Sequence, residues 1–345
     1  MTGFGFGIVG AGVISATHAE AIAMVPGARL AAVTDTSPES ARRIADAHGC
    51  AAEPDLGSLL ARDDVDIVTV CVPSGLHAEV GVAAAAAGKH VVVEKPIDVS
   101  LEAADRLIRA AEAAGVKLTV ISQHRFDPGL AELRSLIDDG VLGRLLFGEA
   151  TTKWYRSQAY YDSAAWRGTW ALDGGSLMNQ GIHYVDLLLA CLGPVAEVTA
   201  ITATQTHEIE VEDISLALLR FRSGAVGTLT SSTSAFPGFP QRLEVTGTGG
   251  TVVLEDGEIV RRGLFGERPA AAGEKRPSEP AAGASNPAIG ATAHAGQFAD
   301  FIEAIEQRRE PWPSARDGRA ALEVVLAVYQ SARDGRAIEL PGAVR

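Results

Sequence analysis

Between residues 4 and 121 five short apolar runs, Phe6-Gly-Ile-Val9, Leu30-Ala-Ala-Val33, Ile67-Val-Thr-Val-Cys71, His90-Val-Val-Val93 and Leu118-Thr-Val-Ile121, alternate with longer segments of helical pattern. Each run is continuously apolar rather than alternating with polar residues, the mark of a strand covered on both faces. Strands of that kind separated by helices build βαβ units, and repeated units form a doubly wound parallel sheet. Residues 1–122 are therefore expected to be an α/β domain.

Past residue 123 the period changes. Helical patterns near 130–139 and 176–191 enclose a strand-like run at 145–155, and then strand patterns dominate at 195–204, 214–222, 225–232, 242–246 and 251–254. Turns such as Arg222-Ser-Gly-Ala225 and Gly247-Thr-Gly-Gly250 join them, which predicts a large, mostly antiparallel sheet. Runs of strands after a βαβ region indicate a second, α+β domain over 123–345. Within it, residues 267–296 are rich in Ala, Pro, Gly and Ser without periodicity and read as a flexible loop. Two amphipathic helices, 296–307 and 315–332, close the chain around the breaker Glu310-Pro-Trp-Pro313.

Composition narrows the function classes. With 30 basic against 43 acidic residues the formal charge is −13, which repels phosphate backbones and anionic headgroups and argues against nucleic acid as a partner. The basic pairs Arg261-Arg262 and Arg308-Arg309 are too short to reverse this. Cys50, Cys71 and Cys191 have no Cys-x-x-Cys spacing, so neither a disulfide framework nor a metal site is expected. The longest apolar stretch, Val80 to Gly88, is far short of the roughly 20 residues a membrane helix needs. The first residues carry no basic segment and serve better as a strand than as a leader, so a cytoplasmic location is expected.

Gly10-Ala-Gly12-Val-Ile-Ser15 follows the first strand and opens the first helix, the context in which a Gly-x-Gly-x-x-Gly-like motif binds a dinucleotide. Gly10 makes the tight turn and Gly12 admits the pyrophosphate to the helix N-terminus, with Val13 and Ile14 at the start of that helix. Ser15 replaces the third glycine. Asp35, at the end of the second strand, is placed to accept hydrogen bonds from the adenosine ribose and to repel a 2′-phosphate. Thr36, Ser37 and Pro38 follow it, with Arg42 and Arg43 farther into the helix, so NAD is expected in preference to NADP.

Further on come Val72-Pro-Ser-Gly-Leu-His77, Glu94-Lys95-Pro96, Gly174-Gly-Ser-Leu-Met-Asn-Gln-Gly-Ile-His183 with Asp186, and a closing Tyr329-Gln-Ser-Ala332 helix. Together with the glycine motif and His18, these resemble the Gfo/Idh/MocA oxidoreductases over nearly the whole chain. The resemblance implies a Rossmann domain followed by a substrate-binding and oligomerisation domain. It implies that Lys95 lies beside nicotinamide and substrate, that Glu94 lies near the nicotinamide ribose, and that the Lys95-Pro96 bond is cis. Pro73, Ser74, His77 and Gln123 are the further cofactor contacts expected at that end of the sheet, with Arg125 in the same segment as Gln123.

His183 is the candidate proton acceptor, since an imidazole titrates near the pH at which an alcohol proton must leave. Asn179, His183 and Asp186 share one face if the segment is helical throughout. The resemblance leads one to expect Asp where Asn179 stands; Asn orients a hydroxyl but takes no proton. Lys95, His183 and Asn179 are the catalytic candidates.

Residues 153–170 gather three of the four tryptophans, three of the five tyrosines, and Arg156 and Arg167. Aromatic faces stack on sugars, and an Arg fork recognises carboxylate or phosphate, so Arg156, Trp166 and Arg167 are expected, with Lys95, Asn179 and His183, to contact a sugar acid or nucleotide sugar. The resulting expectation is an NAD-dependent oxidoreductase that transfers a hydride between nicotinamide and a secondary alcohol of a sugar or sugar derivative. A non-catalytic NAD sensor of the same fold, or an enzyme that recycles bound nicotinamide, are the alternatives. An open sheet also implies a homodimer or homotetramer.

Overall fold

Two units make up the chain, Met1–Phe126 with Ile289–Arg319, and Asp127–Ala288 with Ala320–Arg345; the computed structural model describes residues 3–266 and 290–341. In the first unit six strands, β1 (Phe4–Val9), β2 (Ala28–Thr34), β3 (Ala51–Glu53), β4 (Ile67–Val70), β5 (His90–Val93) and β6 (Leu118–Val120), form one sheet in the order β3-β2-β1-β4-β5-β6. Every pairing in it is parallel. The order reverses between β1 and β4, and an open sheet of this kind binds ligands outside its carboxyl ends at that point. Phe6, Ile8, Ile67, Val68 and Val91–Val93 are fully buried, as continuous apolar runs require.

Helices α1 (Val13–Met24), α2 (Pro38–His48), α3 (Leu56–Leu60), α4 (His77–Ala86) and α5 (Leu101–Ala114) make the crossovers. Local chemistry sets their ends. Ser37 and Ser100 accept the N–H of Ser40 and Ala103 at the starts of α2 and α5, and Gly49 and Gly115 end them in the left-handed region at φ 67° and 68°.

The second unit carries α6 (Pro128–Asp138), β7 (Leu145–Lys153), α7 (Gln158–Asp162), α8 (Ile182–Leu192), β8 (Val195–Ala203), β9 (Ile214–Phe221), β10 (Val226–Ser232), β11 (Arg242–Gly247), β12 (Gly250–Glu255) and β13 (Glu258–Leu264). Beyond the undescribed stretch come α9 (Ala291–Gln307), α10 (Ala315–Asp334) and β14 (Ile338–Glu339). The eight-stranded sheet runs β13-β12-β11-β7-β10-β9-β8-β14 and is antiparallel apart from the β7–β10 pair. Its inner face buries Ala150, Val198, Ala217, Leu219, Phe221, Leu229, Leu243 and Val245. On its outer face Ile201, Leu216, Leu218 and Val226 stay exposed. Strands β13 and β14 were not anticipated from the sequence.

The expected division at 122/123 is corrected in one respect. The first unit runs to Phe126 and takes back residues 289–319, because α9 inserts Phe298 and Phe301, both fully buried, into its core. The Phe298 ring lies 5.5 Å from Phe6, and the Gln297 amide donates to Val120 O at 2.8 Å while its oxygen accepts the Ser122 N–H at 3.0 Å. Helix α9 starts at Ala291, so the end of the expected 267–296 loop is helical; residues 267–289 lie outside the described residues. Among the described residues no helix is long and apolar enough to cross a membrane.

Candidate active site

The turn between β1 and α1 has the form its glycines require. Gly10 sits at φ 99°, and a Cβ there would meet Cys71 O at 2.5 Å. A Cβ on Gly12 would meet nothing within 4 Å, so the space over the start of α1 is open. Gly12 caps α1 with no side-chain hydrogen bond, and no acidic residue stands in its first turn, leaving its N–H groups and positive dipole end for an anion. Ser15 fits the position of the third glycine by burying its hydroxyl, which donates to Gly12 O at 2.6 Å. Val13 is exposed over the same space.

Asp35 is tied to this turn: Oδ2 accepts the Ala11 N–H at 2.6 Å and Oδ1 the Ser37 N–H at 2.7 Å. Arg43 is closer than its place in the sequence suggests, because one turn into α2 brings its guanidinium back to donate to Ala11 O at 3.0 Å. At the far side, Gln123 is buried and its Oε1 has no partner, an acceptor that a ligand amide or hydroxyl would satisfy. Open turn, uncapped helix and orphan acceptor together fit a dinucleotide.

The β5–α5 loop holds Lys95 in place from behind. Glu94 is buried; its Oε2 accepts the Lys95 N–H at 3.0 Å, and its Oε1 lies 2.8 Å from His18 Nε2 and 3.8 Å from His294 Nε2. The Thr69 hydroxyl bonds His18 Nδ1 at 2.7 Å, leaving Nε2 as the donor to Glu94. Burial keeps His18 low and neutral. Burial alone would raise the Glu94 carboxyl, but the hydrogen bond from His18, with the His294 imidazole nearby, outweighs it and holds the group well below the usual carboxylate range. The carboxylate thus joins His18 to the Lys95 backbone. His77 is similarly engaged: its ring nitrogens meet Pro96 O at 2.6 Å and Val72 O at 2.9 Å, tying the Pro73-Ser74 turn to the Lys95-Pro96 loop, whose peptide is cis. Asp98, which sequence reasoning missed, accepts the Ala78 N–H at the start of α4 at 3.0 Å.

In the second unit the segment expected to be helical is helical throughout, with a π turn near its start. Leu177–Gly181 forms a π turn that runs without a break into α8 at Ile182, so one wide helical turn separates Asn179 from His183. The Asn179 amide donates to Asp173 Oδ1, and Asp173 Oδ2 accepts the Gly168 N–H at 2.7 Å. Asp173, ahead of the glycine pair, thus sets a carboxylate against the Asn179 amide. No helical period points to it. His183 and Asp186 are buried on α8. Glu212, at the foot of β9, accepts the Leu177 N–H at 2.8 Å and the hydroxyls of Ser176, Ser215 and Tyr329 at 3.1–3.3 Å, all on Oε1.

The aromatic cluster is an alternating stack. The Arg156 guanidinium lies 5.1 Å from the ring centroids of both Trp154 and Tyr160, and that of Arg167 lies 4.2 Å from Tyr160 and 4.5 Å from Trp166. The Tyr160 hydroxyl accepts from Arg167 at 2.6 Å. Cation–π packing holds two like charges in one small region.

Residues 4–122 match the oxidoreductase family with an NAD-binding Rossmann fold, and residues 130–253 match the GFO/IDH/MocA C-terminal domain. The chain belongs to the Gfo/Idh/MocA family. It is an NAD-binding oxidoreductase. Within the family it is similar to inositol 2-dehydrogenase of Rhizobium meliloti (strain 1021), 31% identical over 349 residues that cover 97% of this chain and 98% of the relative. D-apiose dehydrogenase of Paraburkholderia graminis is 30% identical, covering 96% of this chain and 88% of its own. Among solved structures, the WlbA dehydrogenase from Bordetella pertussis in complex with NADH and UDP-GlcNAcA is 34% identical with a TM-score of 0.87, covering 98% of each chain.

Proposed function

We propose that the protein is an NAD-dependent dehydrogenase of an anionic sugar derivative, oxidising a ring secondary alcohol. One chain of contacts carries the reading: the Asn179 amide bonds Asp173, Asp173 accepts the Gly168 N–H, and Arg167 is the residue before Gly168. A polar group suited to a sugar hydroxyl is thereby linked to a guanidinium suited to a carboxylate or phosphate. The likeness to an enzyme solved with UDP-GlcNAcA, and to dehydrogenases named for inositol and apiose, supports a sugar-type substrate.

Bound NAD would take the hydride at C4 of its nicotinamide. In this reading Gly10, Gly12, Val13, Ile14 and Asp35 hold the dinucleotide, Pro73, Ser74 and Gln123 line its nicotinamide end, and Glu94 and His77 fix the loop that presents Lys95. Lys95 polarises the reacting oxygen, His183 takes the proton, Asn179 with Asp173 orients the sugar, and Arg156, Trp166 and Arg167 receive the anionic group. If His183 is the base, His183→Ala lowers kcat by about 10²-fold or more with the fold intact; a near-native rate moves the proton to Lys95.

The exposed apolar face formed by Ile201, Leu216, Leu218 and Val226 fits a second copy of this chain, giving a homodimer or homotetramer. Cys50, Cys71 and Cys191 form no disulfide with one another, which suits the reducing cytoplasm.

A further inference from the structure

We propose that Glu212 is a positioning residue, whose ionised carboxylate holds the Leu177–Gly181 turn, and with it Asn179, in the geometry that turnover requires. The inference rests on the catalytic reading of Asn179 and His183 above. Glu212 is almost fully buried, yet it directs four donors onto one oxygen and leaves Oε2 without a partner. Leu177 N–H, which opens the π turn, is the shortest of those contacts at 2.8 Å. The next residue, Met178, donates its N–H to the Tyr329 hydroxyl at 3.2 Å, and Tyr329 in turn donates to Glu212. One carboxylate thus secures two successive amides of the turn, one directly and one through a phenol. Gly175 belongs to the same device, since a Cβ there would lie 1.4 Å from Glu212 Oε2.

The titratable groups facing Glu212 are Tyr329 from α10 and Tyr161 from α7, both with phenols raised by burial. The adjoining Asp213 is held by the N–H groups of Thr206 and Gln205 and by His207, and Asp173 is the other carboxylate near Tyr161. Burial pushes the Glu212 carboxyl up to about 7. A proton on it weakens its grip on the Leu177 N–H, so the turn loosens as pH falls through neutrality.

The test compares the full chain with E212Q and E212A. In kinetics, E212A lowers kcat about tenfold or more while KM for NAD stays within about twofold, and E212Q, a neutral stand-in for the protonated acid, keeps the lower kcat of the wild type's acid limb and loses the kcat inflection near neutrality. Amide hydrogen exchange over residues 175–183 needs no substrate: at one fixed pH above neutrality E212A exchanges at least about tenfold faster there, and E212Q, which carries no charge, lies between E212A and wild type. Wild-type protein that oxidises no sugar contradicts the dehydrogenase reading, and the exchange comparison then decides the Glu212 proposal alone. Unchanged exchange in E212A overturns it, as does an E212Q profile that keeps the wild-type inflection.

Discussion

His18 Nε2 lies 2.8 Å from Glu94 Oε1 in the core of the first unit, and both side chains are buried. Glu94 in turn accepts the Lys95 N–H, so the imidazole steadies the loop that carries the proposed catalytic lysine. His18→Ala leaves a buried carboxylate short of its main partner and is expected to destabilise the fold by about 3 kcal/mol or more. Thermal or denaturant unfolding reads this, and a loss below about 1 kcal/mol contradicts it. The linkage has a definite sign. The folded Glu94 carboxyl is depressed from 4.5, so its contribution is present above that value and is lost as pH falls through the lower folded value. The stability gap between wild type and Glu94→Gln therefore narrows in acid.

The Gly10-Ala-Gly12 turn separates folding from binding. A Cβ on Gly12 meets nothing within 4 Å among the described residues, so Gly12→Ala is expected to fold normally. It does fill the space a pyrophosphate needs over α1, and calorimetry should show NAD affinity reduced about tenfold or more. Wild-type affinity in Gly12→Ala places the phosphates elsewhere.

Asp35 and Arg43 stand on either side of Ala11, the carboxylate on its N–H and the guanidinium on its carbonyl. In the proposed reading Asp35 repels a 2′-phosphate, and Arg43, beside the same Ala11, favours one once that repulsion is removed. Asp35→Ser should shift the ratio of kcat/KM for NADP over NAD by about tenfold or more in favour of NADP. An unchanged ratio would show that neither residue reads the ribose.

On the outer face of the eight-stranded sheet Leu218 is 63% exposed and Ile201 is 70% exposed. If that face meets a second copy, Leu218→Asp buries a charge at the interface, and light scattering should show a smaller species than wild type with the fold kept. A wild-type protein that is monomeric at micromolar concentration contradicts the assembly.

Much of the first unit was legible because its strands are buried on both faces, which leaves continuous runs such as Val91-Val92-Val93 that few other structures produce. The shape of the turn at Gly10, Gly12 and Asp35 was legible for a related reason: it is set by backbone geometry within one βαβ unit. Contacts that close over long sequence distances were not. Nothing local marks His294 as a neighbour of Glu94, or α9 as part of the first unit, since an amphipathic helix does not say which core it enters. Arg43 looked remote from the glycine turn because α2 folds back over Ala11. The spacing of Asn179, His183 and Asp186 was read with a regular helical period, and the π turn at Leu177–Gly181 alters it. Asp173 and Glu212 escaped notice because one precedes the glycine pair and the other stands on a different strand.

The most direct test of the account is NADH formation, followed by absorbance, with NAD and a panel of free sugars, polyols, sugar acids and nucleotide-linked uronates, for wild type and Lys95→Ala. The account predicts turnover with an anionic sugar derivative that falls by about 10²-fold or more in Lys95→Ala while NAD binding persists. NAD bound normally by wild type with no NADH formed from any member of the panel would contradict it.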